Sequence, residues 1–150
     1  MDLKNTVANF QFIANRISNF TLETKDMDIK GEKAKVNYDI DYNIIEIKED
    51  EKLFIGKLEY IVVIKAKVKN KILFKIQLTM EGIFAGGKNK LSEEDFRNMI
   101  ELNGIATLSH LSRAYIISAT SLAGINPPVK VPMVNIHVLR EMKKKKEKDE

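Results

Sequence analysis

Hydrophobic and polar residues alternate over three stretches in the first half of the chain. Every second side chain is apolar in residues 33–44, and the same period of two returns in residues 57–68 and 72–80. Strict alternation is typical of a β-strand with one buried face, so each stretch predicts a strand. The link over residues 69–71 is long enough only for a tight hairpin, which makes the last two strands antiparallel.

A less regular strand precedes these three. Its apolar positions in residues 10–23 change phase midway, which indicates a β-bulge. Beyond Gly87 the apolar period lengthens to that of an α-helix, so the strands come first in the chain and the helices follow. The sequence contains no internal repeat and no linker, and this order of elements predicts an α+β fold in one domain.

Three helices are predicted after the strands. The first begins at a capping box formed by Ser92 and the acidic residues that follow it, and we expect it to stop at Gly104. The second is expected over residues 105–123. Three prolines in residues 125–132 exclude a helix there, and a last helix is expected over residues 136–146.

Composition narrows the range of functions. The chain has 150 residues, which is long enough to fold without disulfides or a structural metal, and it contains no cysteine. Disulfides, thiolate metal sites and a cysteine nucleophile are excluded. No apolar run approaches the roughly 18 residues of a membrane span, and the N-terminus lacks the pattern of a signal peptide. We therefore expect a cytoplasmic protein without membrane insertion.

The chain is basic, with a net charge of +4 and a pI near 9.1. Half of the excess lies in the last eight residues, KKKKEKDE, whose five lysines and three acids give +2. We predict a domain over residues 1–142 and a charged, frayed or disordered tail over residues 143–150. A basic nucleic-acid-binding module with salt-sensitive binding stays an alternative, but the near-balanced domain leads us to expect no nucleic-acid partner.

One glycine cluster, from Gly82 to Lys88, matches the start of the phosphate-binding motif GxxxxGK[ST]. A phosphate loop needs a buried parallel strand before it and a helix that starts at its lysine. Here the preceding strand alternates, Asn89 replaces the hydroxyl residue that holds magnesium, and the helix starts only after Ser92. We therefore interpret the glycines as a strand exit that leads into the first helix, and we expect no nucleotide.

Residues suited to catalysis or to metal binding are sparse. His110 and His137 lie on different predicted helices, without the spacing of a metal-binding pair. Ser109 precedes His110 on a helix, where adjacent side chains point apart. We predict no catalytic residue, no metal site and no cofactor, and we interpret the chain as a protein that is not an enzyme.

Apolar residues outside the predicted core faces are the remaining unusual feature. Ile61 and Val63 lie on the polar face of a central strand, and others cluster where strands are expected to end. Apolar side chains in such positions indicate a surface for a partner. The residues at the expected strand ends are Ile44, Ile45, Ile47, Leu53, Phe54, Ile55, Ile83 and Phe84.

The order of these segments resembles the SecB family of protein-export chaperones. Four stretches carry the resemblance, and their order and spacing extend it from about residue 10 to residue 142. They are FQFIANRISNFTLE in the first strand, GIF at residues 82–84, RAY at residues 113–115 in the long helix and VPMVNIHVL at residues 131–139.

The resemblance implies a four-stranded antiparallel sheet with helices packed on one side, assembled as a homotetramer that is a dimer of dimers. Members of the family hold unfolded preproteins along apolar grooves without ATP or a cofactor, so an ATP-independent chaperone is implied. The residues implied in subunit association are Phe74, Ile76, Leu78 and Met80. Those implied in a client-binding groove, where residues 83 and 84 form a bordering loop, are Tyr42, Ile44, Ile83, Phe84, Tyr115, Ile125 and Val131.

Departures from the family concern the surface that faces the SecA motor. Export chaperones of the family present acidic residues there. Glu23 keeps one such position, whereas Asn19 and Gln77 occupy two others. We therefore expect client holding to be retained and leave transfer to SecA open. Some relatives that resemble SecB serve toxin–antitoxin systems, so a dedicated chaperone of an antitoxin is the alternative.

Overall fold

The structure is a computed structural model that describes residue 2, residues 8–26 and residues 33–150. The predicted domain start at residue 1 lies outside these ranges. The strands are β1 (Phe10–Thr24), β2 (Lys35–Glu49), β3 (Leu53–Val68) and β4 (Lys71–Gly87). They form one antiparallel sheet in the order β1-β4-β3-β2, so β1 and β2 are its edges. The antiparallel sheet implied by the resemblance is therefore present.

A two-residue turn at Lys69 and Asn70 joins β3 to β4, as the short link predicted. Both residues have positive φ, 49° and 65°. Positive φ at both central positions defines a type I′ turn, whose twist matches that of the two antiparallel strands it connects. The tight hairpin is confirmed, and the strand before the glycine cluster is antiparallel, unlike the strand that precedes a phosphate loop.

Both edge strands contain β-bulges. The pairing of β1 with β4 skips Ile13 and Ser18, so β1 has two bulges where its sequence pattern predicted one. The pairing of β2 with β3 skips Ile45. The strand end expected near Ile44 is wrong, because β2 continues beyond the bulge to Glu49. Bulges bend and twist an edge and thereby limit uncontrolled pairing with other chains.

Three helices follow the sheet: α1 (Glu93–Met99), α2 (Ile105–Leu122) and α3 (Ile136–Asp149). The five residues Ile100–Gly104 are π-helical and join α1 to α2 in one continuous helix. The predicted stop at Gly104 is wrong, because this residue is helical, with φ −65° and ψ −48°. The capping box is confirmed, since Ser92 Oγ accepts from the Asp95 N–H at 3.1 Å and Asp95 Oδ2 accepts from the Ser92 N–H at 3.4 Å.

Glycine lets the long helix approach the sheet. β4 continues past Gly82, so the strand exit predicted there is wrong. A Cβ atom at Gly86 would lie 2.7 Å from Phe96 Cδ2, and one at Gly104 would lie 3.1 Å from Leu58 Cδ2. Larger residues would push the helix away from the strands. The glycines that the sequence pattern presented as breaks are thus sites of close packing.

All three helices lie on one side of the sheet, which we call the helix face; the other side is the open face. Alternate side chains of residues 58–66 in β3 and 74–84 in β4 are buried on the helix face. At one end, the closed end, the rings of Phe54 and Phe96 stack with centroids 5.4 Å apart. The predicted α+β fold with helices packed on one side of the sheet is confirmed.

Helix α3 extends into the segment predicted as a frayed or disordered tail. It is helical to Asp149 and is tied to the edge strand β2. Lys143 Nζ donates to Asp41 Oδ1 and to Asn43 Oδ1, both at 2.9 Å. Lys146 Nζ lies 3.5 Å from the same Asp41 carboxylate. Lys143 and Lys146, which lie in the predicted tail, therefore contact acidic and amide side chains of the sheet.

Candidate functional site

A cleft of about 600 Å³ opens at the end of the sheet opposite the closed end. We call this the cleft end. The floor consists of the starts of β2 and β4, and one wall is the proline-containing segment after α2. The residues that define it are Val36 and Tyr38 of β2, Leu73 and Phe74 of β4, and Ile125 and Val129 of the segment after α2.

The wall of the cleft is held in place by a buried hydroxyl. Gly124, with φ +83°, ends the helical backbone and turns the chain back over the sheet. Thr120 Oγ1 donates to the Ile116 carbonyl at 2.7 Å and accepts from the Val129 N–H at 3.0 Å. Arg113 Nε fixes the same segment further along, by donating to a backbone carbonyl at 2.9 Å. The cleft therefore has a wall that keeps its shape when empty.

The chemistry of the cleft is that of apolar binding. Its described lining contains no histidine, cysteine, aspartate or glutamate. The charged groups in the lining are the ammonium groups of Lys25 and Lys130. In the described part of the chain, no group of three or more metal-ligating side chains could hold a metal ion. The lining thus offers apolar surface and positive charge to a ligand.

The residues predicted for a client-binding groove do not form one surface. Ile125 lines the cleft. Ile83 lies on the open face and Phe84 on the helix face, fully buried, because successive strand residues point to opposite sides. The bordering loop implied at these two positions is wrong, since both residues belong to β4 and pair with β1 and with β3. The ring of Phe84 stacks on that of Phe10 at 5.3 Å and belongs to the core.

The other four predicted groove residues also lie apart from the cleft. Tyr115 is 38% exposed on α2, and its ring meets that of Phe20 edge-on at 5.0 Å. Val131 belongs to the segment after α2 and is buried. Tyr42 and Ile44 line a second cleft, of about 320 Å³, between β2 and α3.

This second cleft is polar. The Tyr42 hydroxyl donates to Glu101 Oε2 at 2.8 Å, and Arg140 Nε donates to the same oxygen at 3.3 Å. Burial and then the hydrogen bond to the Glu101 carboxylate raise the pKa of Tyr42. Lys143 Nζ lies 5.7 Å from the centroid of the Tyr42 ring. These groups satisfy one another and attach α3 to the sheet, so the second cleft offers little apolar surface.

The residues predicted for subunit association are covered within a single chain. Ile76, Leu78 and Met80 lie under the helices and are at most 2% exposed. Phe74 forms part of the cleft floor. The residues of β4 that alternate with these lie on the open face. An interface between subunits at β4 would have to use that face. The alternation identified the strand correctly but could not tell which of its faces the helices cover.

The residues predicted to face SecA lie close together on the open face. In the pairing of β1 with β4, Asn19 is opposite Thr79, and Glu23 is opposite Lys75. Gln77 lies between these two positions on β4 and points to the same side. The structure therefore brings the three predicted residues onto one surface. That surface carries one carboxylate, from Glu23, beside a lysine.

Sequence reasoning missed most of the cleft. Val36 and Tyr38 were identified as members of a strand, and Leu73 was not singled out. These residues lie next to Ile125 because β2 and β4 start at the same end of the sheet. Residue patterns do not reveal that arrangement. The available signal was the proline-containing segment, because a non-helical stretch after a long helix has to cross the end of the sheet.

Comparisons with known proteins give a similarity at the level of the fold. No protein-family model and no curated protein sequence matches this chain. A solved SecB-like chaperone of Mycobacterium tuberculosis, in complex with a ChAD peptide from the HigA1 antitoxin, aligns with a TM-score of 0.60 and 13% identity. The alignment covers 85% of this chain and 91% of that one.

A second solved structure, a Streptococcus agalactiae protein of unknown function, aligns with a TM-score of 0.49 and 12% identity over 83% of this chain and 97% of that one. The first similarity establishes that the fold is SecB-like, as the order of segments indicated. Among the described residues, no helix has both the length and the apolar character that crossing a membrane requires.

Proposed function

We propose that this protein is an ATP-independent chaperone that holds apolar segments of non-native polypeptides in the cleft. The observation that carries the proposal is an accessible cleft of about 600 Å³ with an apolar floor, in a chain of SecB-like fold. The wall fixed by Thr120 supports it further, because a preformed site avoids part of the ordering cost of binding.

Burial of apolar side chains supplies the binding free energy. One large apolar side chain contributes about 1.5–3 kcal/mol when it leaves water. Ordering a flexible segment opposes binding by about 2–5 kcal/mol. A segment must therefore insert two or three apolar side chains to stay bound. Folded proteins hide such side chains and are not held, which gives selectivity for non-native chains.

A dedicated client is the second candidate. The Mycobacterium tuberculosis SecB-like chaperone was solved with a peptide from an antitoxin, which favours a role for this protein as the chaperone of one antitoxin. A general holdase would bind many unfolded chains with similar affinity, whereas a dedicated chaperone would prefer one by orders of magnitude. Either client would be met in the cytoplasm, where preproteins and antitoxins are made.

We also propose that the chain forms a homo-oligomer through β1, a tetramer if two such dimers associate. The outer edge of β1 is unpaired among the described residues, and Phe12 and Ile13 beside it are 39% and 58% exposed. Several clefts in one assembly would hold one long client by avidity. Native mass spectrometry should detect the oligomer, and Ile13→Asp should shift it toward monomer. A wild-type protein that is monomeric at micromolar concentration would contradict this proposal.

Aggregation of a denatured model protein tests the chaperone function. We expect the wild type to suppress light scattering without ATP, and Ile125→Asp to suppress it much less because a carboxylate enters the apolar cleft. Met133→Asp is the matched control, since Met133 is 75% exposed and outside the cleft. Absence of suppression at an excess of wild type would refute the proposal. An equal loss in both variants would show that the cleft is not the site where the client binds.

A further inference from the structure

Lysines concentrate at the cleft end of the molecule. Four described segments meet there, residues 21–26, 33–37, 65–75 and 123–130, and their sequences hold nine lysines and two acidic residues, a net charge of +7. The whole chain has a net charge of only +4, so everything outside these segments sums to −3. The cleft therefore opens at an end of the molecule that carries a large excess of positive charge.

The two lysines that line the cleft lack the carboxylate partners that several lysines have elsewhere in the fold. Lys57, Lys88 and Lys143 each have a carboxylate oxygen within 3.3 Å. In contrast, neither Lys25 nor Lys130, which line the cleft, is in a salt bridge with any described residue. Positive charge beside the apolar lining is left without a counter-charge from the described protein.

Behind the cleft, on the open face, lysines face one another across strands. Lys35 is paired in register with Lys67, and Lys65 with Lys75. Like charges directly opposite destabilise a sheet, and no described carboxylate forms a salt bridge with any of the four. Glu23 is opposite Lys75 on the other side and still makes no salt bridge with it. A surface that accepts this repulsion is suited to an external anion.

We propose that the cleft selects polypeptide segments in which apolar residues are flanked by aspartate or glutamate. The inference rests on the proposed function and names the chemistry of its clients. The apolar residues enter the cleft, and the flanking carboxylates meet Lys25 and Lys130 as they leave it. The facing lysine pairs on the open face add to the positive charge of this end of the molecule, which attracts such segments.

A polypeptide fits this surface better than a nucleic acid does. Single-stranded nucleic acids are held by lysine-rich grooves in which aromatic side chains stack on the bases. Among the described residues, the open-face positions beside the lysine pairs are Asn37, Val63 and Gln77, none of which is aromatic. The cleft lining contains the rings of Tyr38 and Phe74, but Phe74 is only 7% exposed, and the concave apolar lining suits aliphatic side chains next to carboxylates.

Three peptides with one apolar core test the inference. The core is flanked by three glutamates, three glutamines or three lysines, and binding is followed by fluorescence anisotropy at 50 mM and 500 mM salt. We expect the glutamate peptide to bind roughly tenfold more tightly than the glutamine peptide at low salt, with most of the difference lost at high salt. The lysine peptide should bind most weakly.

Charge-reversal variants at the cleft are the second part of the peptide-binding experiment. Lys25→Glu/Lys130→Glu should reverse the order of the glutamate and lysine peptides and leave the glutamine peptide within about twofold, as expected for exposed charges. Lys145→Glu/Lys148→Glu makes the same change of charge on α3, outside the cleft lining, and should keep the wild-type order.

Each contrary outcome has one meaning. If the three peptides bind equally well, or if both double variants change the order alike, this inference is overturned while the proposed function stands. If no peptide binds, the proposed function fails and the inference with it. If a single-stranded oligonucleotide binds to the wild type more tightly than the glutamate peptide and Lys25→Glu/Lys130→Glu abolishes that binding, the lysines serve nucleic acid instead.

Discussion

The two ends of the helix face are built from the same strands and differ in whether the helices reach the sheet. At the closed end, Phe54 and Phe96 stack and Phe96 lies against the backbone at Gly86. At the cleft end, the strands carry side chains such as Val36 and Phe74, and a cleft of about 600 Å³ remains above them. The comparison shows that backbone contact closes one end and its absence leaves the other open.

The connection after α2 explains why the cleft end stays open. Helix α2 stops at Leu122, and Gly124 turns the chain into a segment that cannot be helical. Hydrogen bonds to Thr120 and Arg113 hold that segment in place, and its Val129 and Val131 side chains are buried in the core. We therefore expect changes at the closed end to alter stability, and changes at the cleft end to alter binding.

The largest effect is expected from Phe84→Ala. Phe84 is fully buried at the closed end, so its removal leaves a cavity and should lower the free energy of unfolding by about 3–5 kcal/mol. Urea unfolding followed by circular dichroism measures the change. Leu122→Ala is the control, since Leu122 is 90% exposed and its truncation should have a much smaller effect. Equal effects would contradict the position of Phe84 in the core.

A smaller effect at the same end is expected from Gly86→Ala. The added Cβ would lie 2.7 Å from Phe96 Cδ2 and 2.9 Å from Leu91 Cδ1, so the helix must shift. We expect a loss of about 1–3 kcal/mol in the same urea experiment. Gly87→Ala is the control, because its Cβ would meet only the movable end of the Asn89 side chain. A neutral Gly86→Ala would mean that the helix does not pack so closely.

At the cleft end, Thr120→Val should loosen the wall. Valine keeps the shape of threonine but leaves the buried Val129 N–H without an acceptor, which removes about 1–2 kcal/mol of stability. Hydrogen exchange at Val129 should accelerate, and client binding should weaken because the cleft is no longer preformed. Thr107→Val is the control, since Thr107 makes the same bond to its own helix but contacts no loop. Unchanged exchange at Val129 would contradict this account of the wall.

The smallest effect is expected where α3 meets β2. Burial alone would raise the pKa of Asp41, but hydrogen bonds from Lys143 and from the Tyr42 N–H lower it overall. The folded-state pKa is then below the unfolded one, so Asp41 stabilises the fold above about pH 4, and this contribution disappears as the pH falls through the folded value.

Asp41→Asn should therefore lower the free energy of unfolding by about 0.2–1 kcal/mol at pH 7 and by less near pH 3. Urea midpoints at the two pH values measure the difference. Asp39→Asn is the control, because Asp39 makes no salt bridge with a described residue. A pH-independent loss in Asp41→Asn would mean that the charge is not what attaches α3.

The sheet was predictable because its signals are local. Strict alternation identified β2, β3 and β4, and the short link over residues 69–71 predicted the hairpin. The predictions that a strand ends at Gly82 and a helix ends at Gly104 were wrong. A residue without a side chain can end an element, but it can also let another element approach closely. Nothing in the neighbouring residues separates the two cases, because the approaching side chain comes from a distant part of the chain.

The cleft was not predictable because its parts lie far apart in the sequence. Val36, Leu73 and Ile125 become neighbours only through the order of the strands and the path of the segment after α2. Of the residues that the resemblance implied in a client-binding groove, Ile125 lines the cleft, whereas Phe84 lies in the core. The net charge was visible in the sequence, whereas its concentration around the cleft required the strand register.

Methyl chemical shifts in the wild-type protein test the central claim most directly. The claim is that the cleft, not the open face, receives non-native polypeptide. On titration with an unfolded polypeptide, we expect the methyl signals of Val36, Leu73 and Ile125 to shift, while those of Ile61 and Val63 on the open face stay in place. Shifts confined to the open face, with the cleft signals unchanged, would contradict the account.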